Sequence, residues 1–118
     1  MAAENVIFIG WHRPVPGYEK FSVQEFGKAM EWIVGQQQSG RIASFEPVLL
    51  EPHGGDLNGM IIIKGEADQL NSLIEDPVWQ ELTLKASWYM QGFGFVRGVT
   101  GGLLGKRMMA WQNLPSKV

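Results

Sequence analysis

The chain has 118 residues, 45% hydrophobic and 19% charged, ordinary proportions for a globular protein with room for one core. A formal net charge of −2 and a pI near 5.6 speak against general binding to nucleic acid or to an anionic membrane. The absence of cysteine excludes disulfides, thiolate metal sites and cysteine nucleophiles.

"ENVIFIGWH" is apolar on both alternating sets, Val6/Phe8 and Ile7/Ile9, as suits a strand covered on both faces. Without basic residues ahead of its short apolar run, the beginning of the sequence reads as a strand and not as a signal peptide. No stretch approaches transmembrane length, and a cytoplasmic location is expected. "RPVPGYEK" is loop, punctuated by Pro14, Pro16 and Gly17. Ser22 and Glu25 have the spacing of a capping box, with Phe21 and Phe26 as a hydrophobic staple. The helix they open carries Phe26, Met30, Ile33 and Val34 on one face and should stop at Gly40.

"IASFEPVLLE" is a second strand, and Pro47 sends it to a sheet edge. Glu46 within it is expected in solvent, since Glu is seldom buried unpaired. "PHGGDLN" turns the chain into a third strand, "GMIIIKG", again apolar on both faces. The next helical stretch breaks at Asp76-Pro77, where Asp can cap and Pro can open a new turn. Leu70, Leu73, Ile74, Val78, Leu82 and Ala86 keep one apolar stripe across the break. "WYMQGFGFVRGV" reads as a fourth strand, and "GLLGKRMMAWQNL" as a short helix with Leu104, Met108 and Trp111 on one side.

The order is β-α-β-β-α-β plus a terminal helix, an α+β chain read as a single domain over residues 1–118, with a core over 4–100 and a docking helix over 101–114. In the ferredoxin-like antiparallel arrangement of this order the first and third strands are central. Here those are the two doubly apolar strands. Both helices would cover one sheet face, leaving the other to expose an apolar patch unless a second subunit packs on it. On this element order and these strands the chain resembles the dimeric α+β barrel superfamily. That group holds small antibiotic-biosynthesis monooxygenases, muconolactone-isomerase-like and YciI-like proteins. The resemblance implies a ferredoxin-like fold and a homodimer joined through the sheet face. It carries over no catalytic motif and leaves the reaction open.

"TGGLLGKR" resembles a phosphate-binding loop, G-x-x-x-x-G-K-[ST]. Thr100 stands where the first glycine belongs and Arg107 where the metal-binding hydroxyl belongs, so two of four defining positions fail. The glycines read better as a hinge into a docking helix.

The topology gathers Trp11, His12, Arg13, Glu51, His53, Asp56, Trp88, Tyr89 and Gln91 at one end of the sheet, opposite Glu4, Lys64, Glu66 and Arg97. In a catalytic reading His12 is a general base or proton shuttle, because imidazole titrates near neutrality. Asp56 or Glu51 would orient His53, and Tyr89 would donate to an enolate-like oxygen. Arg13 and His53 would contact substrate, with Trp11, Trp79 and Trp88 as apolar walls. The bland account of the same residues is that strand ends and turns are polar because water is there. His12, His53 and Asp56 lack any tight metal-ligand spacing such as H-x-H, and neither a metal nor a cofactor is expected. Phe93 and Phe95 could suggest base-stacking aromatics, but their shared face fits core packing better.

Two function classes follow. One is a homodimer that binds a small apolar or aromatic metabolite between sheet and helices, with acid–base isomerisation or cofactor-free oxygenation around His12 as its chemistry. The other is a non-catalytic ligand-binding or assembly module. Whether the protein is an enzyme is left open by the sequence.

Overall fold

The computed structural model describes residues 3–115. Ten elements follow in order: β1 (Asn5–Trp11), β2 (Arg13–Pro14), α1 (Glu19–Gln38), β3 (Ser44–Leu49), β4 (Gly59–Gly65), α2 (Ala67–Glu75), α3 (Pro77–Tyr89), β5 (Met90–Gln91), β6 (Gly94–Val99) and α4 (Gly101–Gln112). The main sheet has the order β3-β4-β1-β6, all neighbours antiparallel. The two doubly apolar strands are therefore central, as their patterning predicts. Pro47 sits on the edge strand β3, opposite Ile61, and Glu46 is exposed there as expected. A second, two-stranded ribbon pairs β2 with β5.

Strand alternation divides the side chains between two faces. Ile7, Ile9 and Trp11 of β1, with Ile61 and Ile63 of β4, point to the helices and form the core with Ile33, Ile42, Leu70, Leu73 and Trp79. Phe8 lies between Ile62 and Val96 on the other face. That face is left open by the helices of its own chain: Val96 is 62% exposed, and Phe8, Met60, Ile62 and Val48 are only half-buried.

Three local readings of the sequence are corrected. Helix α1 begins four residues early, at Glu19, with Tyr18 and not Ser22 as its N-cap. A tight turn closes with Tyr18 N–H donating to the Val15 carbonyl (2.9 Å), and the Glu19 carboxylate accepts from Gly17 N–H. Ser22 and Glu25 then fall inside the helix, buried, and form no capping box. Phe21 packs outward against Tyr18 and Tyr89 while Phe26 packs on Trp11, so no staple joins them. Second, Trp88 and Tyr89 belong to α3 and not to a strand; the sheet resumes only at Gly94. Third, Val78 is exposed and the stripe across the helix break passes instead through Trp79. The break itself is as read: Asp76 accepts from Val78 N–H (2.8 Å) with Pro77 opening α3.

Helix α4 buries none of its residues, and Leu104, Met108 and Trp111 are all exposed. Docking on the body of its own chain is thereby excluded. The radius of gyration of 16.3 Å and a longest extent of 50 Å exceed the roughly 13–14 Å radius of a compact chain of this length.

Arg41 ties the far end of the helical layer together. Its guanidinium donates to the Asp76 carboxylate (2.6 Å), to Gln36 Oε1 and to both the carbonyl and hydroxyl of Ser72. Arg41 first, and then the Val78 N–H, hold the Asp76 carboxyl below its ordinary value of 3.8. A lowered carboxyl stabilises the fold above that value and loses its effect as pH falls through it. Asp76→Asn, which keeps a capping oxygen, should lower the melting temperature near pH 7. The gap from wild type should narrow below about pH 4 in a pH series of melting curves.

Candidate functional site

Between the sheet and helices α1 and α3 lies a cavity of about 400 Å³, within the ordinary range of ligand pockets. Ile9, Trp11 and Ile61 form its floor; Ser22, Val23, Phe26, Ala29, Trp32 and Ile33 of α1 form one wall. Trp79, Leu82, Thr83, Ala86 and Tyr89 of α3 form the other, and Pro14, Met90 and Phe93 close the ribbon end. Val23 and Leu49, 70% and 76% exposed, mark the rim. No charged side chain lines it among the described residues.

Each wall residue is placed by a nameable constraint. Trp11 comes from the last inward position of β1, and its indole lies across Gly59, its partner on β4. Any β-carbon at residue 59 would collide with that ring. Phe26 meets Trp11 edge-on at 5.7 Å, and Phe95 meets Trp79 edge-on at 5.1 Å. Phe93 and Phe95 are thus packing residues on the helix side. Trp79 keeps its Nε1 buried with no hydrogen-bond partner, an arrangement that costs about 1–3 kcal/mol.

Tyr89 closes α3 and is buried against Phe21. Burial first, and then the nearby Glu25 carboxylate, raise its phenol above the ordinary value of 10. Glu25 is itself buried on α1 and bonded to Lys28 Nζ at 3.1 Å. A phenol raised in this way is a hydrogen-bond donor at neutral pH and not a base.

The predicted site residues divide. Trp11, Trp79 and Tyr89 come together on the cavity; His12, Arg13, His53, Asp56 and Trp88 do not line it. Alternation along β1 turns His12 away from Trp11, and its Nε2 lies 3.9 Å from an Asp56 carboxylate that is 95% exposed. His53 is exposed and serves its own loop: Nδ1 accepts from Gly55 N–H, which leaves Nε2–H to donate to the Leu57 carbonyl (2.8 Å). Arg13 Nε donates to Gln91 Oε1 at 2.8 Å. Trp88, one residue before Tyr89 on the helix, faces solvent at 82% exposure. Its place in the expected wall is taken by Trp32. The described residues contain no group of three or more histidine or acidic side chains able to hold a metal ion.

Ser22, Glu25 and Trp32 are the wall and near-wall residues that pattern reading misses. Their signal was the series Ser22, Glu25/Phe26, Ala29, Ile33 at helical spacing. It is masked by the polar character of its first two members.

No protein-family model matches the chain, and no curated protein matches it in sequence. Solved structures do. A dimeric protein of unknown function and ferredoxin-like fold from Bacteroides fragilis superimposes with a TM-score of 0.62 at 16% identity, over 84% of this chain and 98% of the other. The fold is ferredoxin-like. A dimeric ferredoxin-like protein of unknown function from Thermobifida fusca gives a TM-score of 0.56 at 8% identity, over 85% and 94% of the two chains.

The two tyrosines, Tyr18 and Tyr89, allow a direct check of the cavity's electrostatics. In an ultraviolet titration of tyrosinate, Tyr89 should ionise above the ordinary phenol value of 10. Glu25→Gln should bring Tyr89 down part of the way, since burial, the larger cause, remains.

Proposed function

We propose that the protein is a cytoplasmic homodimer that binds a small apolar or aromatic molecule in the cavity between its sheet and helices α1 and α3. The observation that carries this reading is the cavity's uncharged wall of aliphatic and aromatic side chains. A void of this size and polarity favours an apolar occupant over water, because water there would find few partners. A general base would have to reach the bound molecule for acid–base isomerisation, and His12 lies off the wall. Binding is therefore the primary reading, and isomerase or cofactor-free oxygenase chemistry is secondary to it.

The homodimer is supported by two features of the chain. The open sheet face carries Phe8, Met60, Ile62 and Val96, with Leu57 packed over Gly10 beside them. Helix α4 offers a further exposed row, Leu104, Met108 and Trp111, which a second copy could cover. The neighbours of the same fold are described as dimeric. On this reading α4 is a docking helix for the partner subunit.

Light scattering at micromolar concentration should give twice the chain mass, and Ile62→Glu, which puts a charge at the centre of the open face, should give a monomer. A wild-type monomer would refute the homodimer. For the cavity, the neutral dye phenylnaphthylamine should brighten on binding. Ala29→Trp, which fills the void, should remove most of that signal and Ile62→Glu should not. The reverse pattern would put the dye on the sheet face and sink the cavity reading.

A further inference from the structure

Helix α4 carries a charge inside its apolar row. Residues at i, i+3, i+4 and i+7 share one face of a helix, and Leu104 opens such a set: Leu104, Arg107, Met108 and Trp111. All four are exposed, and α4 buries none of its residues on its own chain. A cation in the middle of a face that is to be covered requires a carboxylate on whatever covers it. None comes from the same region: no Asp or Glu follows Glu81, whereas Lys85, Arg97, Lys106, Arg107 and Lys117 do. The open sheet face offers the counterpart. One row across it runs Glu46, Ile62, Phe8, Val96, from β3 to β6. Glu46 is exposed at the edge and forms no ion pair among the described residues. Lys64, the other charge of this face, lies one row further out, opposite Ser44.

We propose that two protomers exchange their α4 helices: each α4 lies against the β3 side of the partner's open sheet face, where Arg107 pairs with the partner's Glu46. The exchange rests on the proposed homodimer and adds to it the segment and the charge pair that hold it. A two-fold axis parallel to the strands sets β6 of one sheet over β3 of the other. It also keeps like ends of the sheets together. Helix α4 leaves β6 at the end where β3 starts, since Ser44, Lys64, Val6 and Gly98 form one row there. With 12 residues α4 is about 18 Å long, close to the roughly 19 Å across four strands. Area argues the same way. The sheet face alone, about 23 Å by 19 Å for strands of 7 residues, offers roughly 400 Å². A stable interface buries about 800 Å² per partner. Two exchanged helices supply the difference.

Charge reversal provides the test, read as the dissociation constant of the full-length dimer by dilution in an analytical ultracentrifuge. Arg107→Glu and Glu46→Arg should each weaken the dimer about a hundredfold, since the two-fold axis breaks a roughly tenfold contact twice. Glu46→Arg combined with Arg107→Glu restores the pair and should return to within about threefold of wild type. Lys106→Glu makes the same change in net charge about 100° further round the helix and should leave the dimer unaltered. Should a reversal variant unfold by circular dichroism, proximity is read in its place. The chain has no cysteine, so Glu46→Cys protein mixed with Arg107→Cys protein should be joined by a short bismaleimide, and neither should be joined alone. Additive losses in the double variant, an unchanged dimer in either reversal, an equal effect of Lys106→Glu, or no mixed cross-link would overturn the exchange and leave the homodimer standing. Arg107-dependent binding to phosphatidylserine vesicles with an unchanged dimer would assign α4 to a membrane surface and overturn the exchange too. A wild-type monomer would overturn the exchange and the homodimer together.

Discussion

The antiparallel pairing of β1 with β4 is the constraint on which everything else rests. Both strands are apolar on both faces, and they register with Ile7 beside Ile63 and Ile9 beside Ile61. A strand with one polar face could lie at the surface of an antiparallel sheet, but these two require cover above and below. One chain supplies two helical segments after the first and third strands, both delivered to the same side. The result is a half-covered sheet. The isoleucines facing the helices are almost fully buried, while Phe8 and Ile62 wait on the other side.

The cavity follows from how unevenly the helices meet the covered face. Leu70 and Leu73 of α2 close down on the Ile7–Ile63 end, both nearly or fully buried. At the Ile9–Trp11 end α1 and α3 face the sheet with four rings, Phe26, Trp32, Trp79 and Tyr89, set among small and aliphatic residues. Trp32 and Trp79 sit 6.4 Å apart at a tilt, and Phe26 stands on Trp11. Between those rings stand small side chains, Ser22, Ala29 and Ala86, which leave volume unfilled. The strained point of this wall is the unpaired Trp79 Nε1, whose burial the surrounding rings enforce.

Much of this was legible in the residues. Pro47 placed β3 at the edge, double apolarity placed β1 and β4 at the centre, and Asp76-Pro77 marked the break between α2 and α3. The element boundaries that failed were those where local signals competed. Ser22 and Glu25 match a helix start, yet the Pro16-Gly17 turn delivers the chain into helix before them. Tyr89 has strand propensity, yet α3 continues through it until Met90 can pair with Pro14. The site was half legible for a related reason. Topology correctly drew the polar residues to one end of the sheet. Which side of the sheet each would face depends on a parity of one residue, and Trp11 and His12 differ by that one step. The carboxylate of Glu25 escaped because its influence on Tyr89 acts between α1 and the end of α3, invisible to either segment alone.

The loop that resembles a phosphate cradle has a last consequence. Glu4 reaches across from the start of β1, and its carboxylate accepts from Gly102 N–H at 2.7 Å while its carbonyl accepts from Thr100 N–H. Gly101 takes a left-handed conformation there (φ +59°), and a β-carbon on it would press into that carboxylate. The positive end of helix α4 is therefore already occupied by an anion of the same molecule. A tethered carboxylate acts at an effective concentration that a free solute seldom reaches, so a phosphate arriving from solution meets a resident competitor. The same tether fixes the heading at which α4 leaves the sheet, and so determines in which direction the chain extends its exposed apolar row.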